Sequence, residues 1–374
     1  MASVKICFVI PSLTSGGAER VAVTVLSALD GRRHERALYL FSADQAVYLD
    51  HVGAGIRVVI ARQTSWLGRL RELAAFLREF QPDIVMPFLS YFITAIAVSV
   101  AGVRSFVVFN QGTPTSGFLD DTDFSWAQPW RRRVFASMTR YFYNRADAIV
   151  ATSRGVADDL TSNYGVARSK IHILHNPVDL DAIARQSGAP IAELDLAQDR
   201  PVIAAAGRLA SLKNYPLLIE AIADLAPTLP AYVWILGEGP ERPRLELLAK
   251  ERGVGSVVRF LGFQQNPWRF IARADVFALT SSYEGFGNVL IEAMACRTAV
   301  LATRSPGTVE IIEDGNTGVL VEHDARSIAA GIRELLTNRE QRTALVARAA
   351  GNVTQYALPL VAARYEQLFE KLTA

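Results

Sequence analysis

Short apolar runs alternate with longer amphipathic stretches from one end of the chain to the other. Lys5–Ile10, Ala37–Phe41, Ile56–Ile60, Asp83–Leu89, Ser105–Asn110 and Ala148–Ala151 read as strands, and Arg20–Leu29 and Leu67–Phe80 as helices. The pattern restarts at Pro201, with strands over Val202–Ala206, Tyr232–Leu236, Val258–Leu261, Val276–Leu279 and Ala299–Ala302 and helical patterns between them. Strands that alternate with helices in this way imply parallel pairing through crossover connections. The expected fold is α/β, with two Rossmann-like, doubly wound parallel-sheet domains facing a central cleft.

A length of 374 residues suits two domains better than one. The first is expected over residues 1–177 and the second over 201–357. Residues 178–200, richer in Asp, Ala and Gln and without a strand pattern, read as the linker. A last helix within 358–374 carries Tyr365 and Phe369 on an apolar face; either domain could receive it, including by a return to the N-terminal one. Ile84–Val103 holds no charged residue and is long enough to span a bilayer. Pro87, Ser90, Tyr91, Thr94 and Ser99 break it up, so it reads as a buried strand followed by a buried helix over Ile93–Ala101.

Composition narrows the class. Half the residues are hydrophobic, so a large core is available, and the net charge of +2 names no partner and gives no reason to expect nucleic acid. Cys7 and Cys296 lie in apolar segments and read as small buried hydrophobes in a reducing compartment. The apolar run after Lys5 stops at Pro11, too soon for a signal peptide, which favours cytoplasmic residence. Trp66-Leu67-Gly68-Arg69-Leu70-Arg71, and Trp126 with Trp130-Arg131-Arg132-Arg133, mix aromatic rings with cations as interfacial elements do. They give the N-terminal domain two candidate surfaces for peripheral contact with the inner face of a membrane, with ordinary surface helices as the alternative.

The most informative stretch is Tyr283-Glu284-Gly285-Phe286-Gly287-Asn288-Val289-Leu290-Ile291-Glu292, which follows a strand and opens a helix. Gly285 and Gly287 permit close backbone approach, Asn288 is a candidate N-cap, and the first helical N–H groups face the carboxyl edge of the sheet, where a diphosphate binds. Carboxylates beside a phosphate are unfavourable unless they accept hydrogen bonds from sugar hydroxyls, so Glu284 and Glu292 suggest a hydroxyl-rich ligand. A second constellation, Gly207-Arg208-Leu209-Ala210-Ser211-Leu212-Lys213-Asn214, places two cations after a strand, where they can neutralise a departing diphosphate. Gly16 and Gly17, within Ser15-Gly16-Gly17-Ala18-Glu19-Arg20, precede a helix and let backbone approach a ligand.

These segments resemble glycosyltransferase family 4, the retaining, two-domain nucleotide-sugar enzymes of GT-B type. Glu284 and Glu292 match its Glu-x7-Glu signature, and the match continues through Ala274-Asp275-Val276-Phe277, Ala299-Val300-Leu301-Ala302-Thr303 and Asp314-Gly315-Asn316-Thr317-Gly318. The resemblance implies that Glu284 contacts the hydroxyls of the donor sugar, that Glu292 binds the ribose, and that the backbone of Phe286, Gly287, Asn288, Val289 and Leu290 holds sugar and diphosphate. It assigns leaving-group stabilisation to Arg208 and Lys213, and donor contacts to Gly16, Gly17, Gly207, Gly237, Arg259 and Leu261. The first domain becomes the acceptor side and the second the nucleotide-sugar side.

One departure matters. Many relatives carry His-Gly after the strand Ser105–Phe109, whereas this chain has Asn110-Gln111-Gly112, so Asn110 and Gln111 stand as possible sugar contacts. His175, at the hinge, reads as structural. Asp121-Thr122-Asp123 and Asp179-Leu180-Asp181 have the spacing of metal-binding pairs but lie in polar loop or linker, so neither metal nor cofactor is implied. The expected activity is retaining transfer of a hexosyl or N-acetylhexosaminyl group from a UDP- or GDP-sugar to a glycan, lipid-linked or small-molecule acceptor. A nucleotide-sugar epimerase on a similar scaffold and a non-catalytic nucleotide-sugar sensor are the alternatives.

Overall fold

The computed structural model describes residues 3–14, 16–116, 129–191 and 200–374. They form two compact units. In the first, β1 (Val4–Ile10), β2 (His34–Leu40), β3 (Ile56–Ile60), β4 (Ile84–Pro87), β5 (Phe106–Gln111), β6 (Ala148–Ala151) and β7 (Ile171–Ile173) make a parallel sheet in the order β3-β2-β1-β4-β5-β6-β7. In the second, β8 (Val202–Ala206), β9 (Tyr232–Leu236), β10 (Val258–Gly262), β11 (Val276–Leu279), β12 (Ala299–Thr303) and β13 (Val319–Val321) follow the order β10-β9-β8-β11-β12-β13. Each is doubly wound, with the chain reversing direction across the sheet beside its first strand: β1 next to β4, and β8 next to β11. That reversal opens a crevice at the carboxyl ends of the strands.

An aspartate before three of the strands ties neighbours together at the amino edge. Asp83 accepts from the Lys5 amide at 2.7 Å, Asp147 from Val107 at 2.7 Å and Asp275 from Val202 at 3.0 Å. Those side-chain bonds fix register where the ladder has not yet begun, and leave the carboxyl edge to the loops.

Several elements depart from the apolar pattern. β2 starts at His34 and runs through Arg36, a charge that periodicity would exclude from a buried strand. Arg36 is buried because its guanidinium donates to the carbonyls of Leu26, Ser27 and Leu29 at the end of the helix Gly17–Ala28, and of Ala54. These are carbonyls that the helix cannot satisfy itself. The short strands β7 and β13 have too few residues to show a period. The linker region contains a helix, Leu180–Gln186, capped by Asp179, whose Oδ1 accepts from the Ala182 amide at 2.8 Å. Ile183 is buried in the core of the second unit, so the second unit begins at Val178. Asp179 is thereby a helix cap, while Asp121 and Asp123 lie outside the described residues.

Ile84–Val103 divides into β4 and the helix Tyr91–Ala101, and no helix among the described residues is long and apolar enough to cross a membrane. The final helix, Leu358–Thr373, belongs to the first unit: Val361, Tyr365 and Phe369 are buried against Ile6, Leu26 and their neighbours. Arg33 pairs with Glu366 at 3.6 Å and with Glu370, and Glu366 accepts from the Asp30 amide at 2.8 Å. Of the two domains open to this helix, the chain returns it to the first.

Candidate functional site

The carboxyl edge of the second unit collects most of the expected site residues. β8 and β11 are the central neighbours at the reversal, and the loops that leave them meet. The Ser282 amide donates to the Leu212 carbonyl at 2.9 Å, and the Thr280 hydroxyl reaches the carbonyls of Lys213 and Asn214 at 3.2 and 3.3 Å. Lys213 Nζ then meets Glu284 Oε1 at 2.5 Å, with side chains 22% and 11% exposed. The same carboxylate oxygen accepts from Ser281 Oγ at 2.7 Å. Burial, with Glu284 adding its negative charge, pushes the Tyr215 phenol up, so it stays a neutral donor to the Gly207 carbonyl at 3.3 Å. Arg208, from the same loop, is exposed at this edge.

Backbone permits this crowding at few positions. Gly237 sits at φ +137°, and a Cβ there would lie 2.0 Å from the Gly207 carbonyl oxygen. The loops after β8 and β9 therefore close on one another: Gly207 donates to Leu236 O, and Leu209 to Glu238 O, both at 2.9 Å. Gly287, at φ +86°, is the N-cap of the helix Asn288–Ala295. Asn288 is thus the first helical residue, not the cap as expected from its side chain. The left-handed turn calls for glycine, and no side chain caps the helix, which directs its positive end at the carboxyl edge. Gly285 and Phe286 are buried, with Phe286 edge-on to Tyr356 at 5.5 Å, so only their backbone can serve a ligand. Leu290 is fully buried, and its N–H is committed to the Gly287 carbonyl at 2.9 Å.

Glu292 is 2% exposed, an unusual position for a carboxylate. Its Oε2 accepts from Trp268 Nε1 at 2.8 Å. Trp268, Ser281 and Tyr215 are the residues sequence reasoning missed. Ser281 lies one loop turn before Glu284 and so carried a local signal. Trp268 is 24 residues from Glu292 and carried none.

Other expected residues are placed elsewhere. Arg259 is exposed, the second residue of β10, 5.8 Å from the ring centre of Tyr232 at the start of β9. That is the amino edge, opposite Gly262, and it separates Arg259 from the loops above. Leu261 is near the carboxyl end, where its carbonyl accepts from Gln264 at 2.8 Å. In the first unit, Gly16 is the N-cap and Gly17 the first residue of the helix after β1. Asn110 and Gln111, at the end of β5, are 4% and 7% exposed and turned inward. Asn110 Nδ2 donates to the Tyr365 hydroxyl at 3.0 Å, while the Gln111 amide accepts from Tyr143 and donates to Thr113. These bonds tie both amides into the first unit. No group of three or more His, Cys, Asp or Glu side chains suited to a metal occurs among the described residues.

Two family models match. "Glycosyltransferase Family 4" covers residues 15–182, and "Glycosyl transferases group 1" covers residues 190–351. Among curated proteins, the chain is 34% identical over 252 residues to the N-acetylgalactosamine-N,N'-diacetylbacillosaminyl-diphospho-undecaprenol 4-alpha-N-acetylgalactosaminyltransferase of Campylobacter jejuni, covering 67% of this chain and 66% of that one. It is 36% identical over 208 residues to the lipopolysaccharide core biosynthesis glycosyltransferase LpsE of Rhizobium meliloti, covering 55% of this chain and 59% of that one. The matches thus span less than two thirds of either relative's length. Among solved structures, Anabaena HepE in complex with UDP and glucose superposes with a TM-score of 0.82 at 20% identity, covering 98% of this chain and 100% of that one. That likeness is one of fold.

Proposed function

Because the chain belongs to the group 1 glycosyltransferases, we propose that it transfers a sugar from a UDP- or GDP-sugar to a hydroxyl acceptor with retention at the anomeric carbon. The observation that carries this reading is the Lys213–Glu284 pair at the sheet's reversal point, beside the uncapped helix start at Asn288. A lysine ammonium has three donors, of which Glu284 takes one, leaving others for phosphate oxygens. Glu284 receives Lys213 and Ser281 on Oε1, so Oε2 is the oxygen available to a sugar hydroxyl.

In the reaction, the bond from the anomeric carbon to the diphosphate oxygen breaks and a bond to the acceptor oxygen forms. The acceptor's proton passes to the departing phosphate oxygen. Negative charge grows on the diphosphate as the first bond lengthens, where Lys213, Arg208 and the helix N-terminus stabilise it most. Glu284 faces a ring that gains positive charge. Glu292, held at Oε2 by Trp268, is placed by the family resemblance at the ribose hydroxyls, and Gly207, Gly237 and the 285–289 backbone line the donor's path.

A lipid-linked or surface-glycan precursor is the acceptor class we favour, because the C. jejuni relative is named for an undecaprenol-linked substrate and the R. meliloti relative for lipopolysaccharide core. The alpha linkage in the first name is what retention from an α-configured donor yields. Incubating the protein with UDP- and GDP-sugars and an undecaprenyl-diphosphate-linked saccharide tests this. Nucleotide release coupled to an α-linked product is expected; a β-linked product refutes retention, and epimerised donor without transfer refutes the reaction.

A further inference from the structure

We propose that the loop after β12 positions Glu284 for reaction, with Thr303 and Gly307 as the positioning residues; the inference rests on the sugar transfer proposed for this chain. β12 flanks β11 on the side opposite β8, so the Glu284 loop has the Lys213 loop on one side and residues 303–308 on the other. Ladder pairing between β11 and β12 ends at Leu279 with Ala302. Beyond it a side chain takes over: Thr303 Oγ1 donates to the Ser281 carbonyl at 2.7 Å. Thr303 is fully buried and Ser281 is 1% exposed. Ser281 in turn donates its hydroxyl to Glu284 Oε1 at 2.7 Å, so a single residue joins the strand end to the carboxylate.

Gly307 supports the same loop with its backbone. Its N–H donates to the Glu284 carbonyl at 3.1 Å, and its φ of −79° is open to any residue. Space, not conformation, calls for glycine. A Cβ there would lie 2.6 Å from the Phe286 nitrogen, 2.7 Å from the Gly285 carbonyl carbon and 2.8 Å from the Glu284 carbonyl oxygen. All three are backbone atoms, so no side chain can swing aside and the loop that carries Glu284 would have to move. The support is itself braced: Thr308 Oγ1 donates to the Thr303 carbonyl at 2.7 Å and accepts from the Ser305 amide at 2.8 Å. Thr303, Ser305 and Thr308 are all buried, where a polar group left without its partner is costly. A hydroxyl and an N–H from one loop thus reach Ser281 and Glu284, and a shift of about 1 Å at a reacting group is enough to lower a rate by about a hundredfold.

Steady-state kinetics of sugar transfer by the full chain test the positioning role. Thr303→Val keeps the side chain's shape and removes its hydroxyl, so it should lower kcat by about tenfold and leave donor KM within about twofold. Thr303→Ser, which restores the donor, should bring kcat back to within about twofold of wild type. Because Thr303 acts through Ser281, their losses should not multiply: S281A/T303V should be slower than the slower single variant by no more than about twofold. Gly307→Ala displaces the backbone of residues 284–286, so it should lower kcat/KM by about a hundredfold. Circular dichroism and urea unfolding establish that each variant is folded in the assay, and the Thr303 series decides alone if G307A does not fold. Wild-type kcat in Thr303→Val, a Thr303→Ser variant as slow as Thr303→Val, or multiplying losses in S281A/T303V overturns the proposal and leaves the transfer reading intact. So does a folded G307A with kcat/KM within about twofold of wild type. A wild-type chain that transfers no sugar overturns the transfer reading, and this inference with it.

Discussion

Lys213 and Glu284 lie 71 residues apart in the chain, yet their side chains meet at 2.5 Å because β8 and β11 are neighbours at the point where the sheet reverses. Neither charge is fully solvated, and each sets the other's position. Replacing Lys213 with Ala should lower kcat by about a hundredfold or more, since a donor aimed at developing charge is lost from the transition state. Arg208→Ala should do the same. Steady-state rates with saturating donor check both, and unchanged turnover in either folded variant removes that residue from the mechanism.

The two glutamates should divide their work. Glu284→Gln keeps a partner for Ser281 but removes the charge facing the reacting sugar, so the loss should fall on kcat. In the proposed reaction Glu292 grips the ribose, a part of the donor that does not change, so Glu292→Gln should raise donor KM and leave turnover within a few-fold. Trp268→Phe tests the placement of that carboxylate. It should cost about 1–2 kcal/mol of stability by stripping a buried carboxylate of a hydrogen bond, and raise donor KM severalfold without changing kcat. A fall in kcat alone for Glu292→Gln, or a rise in KM alone for Glu284→Gln, contradicts the assignment.

The expected strands and their parallel winding were legible because buried strands and amphipathic helices leave different apolar periods, and these agree with the sheets over most of both units. What escaped the pattern escaped for stated reasons. Arg36 is a charge satisfied by helix-end carbonyls, and Ala182 and Ile183 are the two buried side chains of a helix of only seven residues. Within the candidate site, local spacing marked the glycine loop and the helix start that carry Glu284 and Glu292, while the roles expected of the two glutamates came from the family resemblance. Trp268 was not marked, because its partner comes from another element. Asn110 and Gln111, the last residues of β5, were legible as lying at the strand's carboxyl end, whereas their bonds to Tyr365, Tyr143 and Thr113 come from partners the local sequence does not announce.

Glycine at 237 and at 17 should respond oppositely to alanine. At Gly237 the backbone is at φ +137° and the added carbon meets the Gly207 carbonyl, so Gly237→Ala should destabilise by about 3 kcal/mol and loosen the loops after β8 and β9. Gly17 opens a helix with nothing within 4 Å of its missing carbon, so Gly17→Ala should be neutral or stabilise by about 0.5 kcal/mol. Urea unfolding of both variants measures this. Gly17→Ala also tests the donor contact: an unchanged donor KM would show that no ligand needs the bare backbone there.

Acidification should weaken the fold through two histidines of the first unit. Burial lowers the pKa of His34, opposed in part by Glu366 at 3.6 Å. Burial also lowers that of His172, helped by the positive charges of Lys371 and Arg168. In the unfolded chain both imidazoles titrate near 6.5. Below that value the unfolded state binds more protons than the folded state, so stability present at higher pH is lost as pH falls through 6.5 toward the lower folded-state values. Thermal melts between about pH 8 and pH 5.5 should show a falling Tm, and the slope should flatten in H34Q/H172Q. A double variant with the wild-type slope over that window would assign the acid sensitivity to other groups.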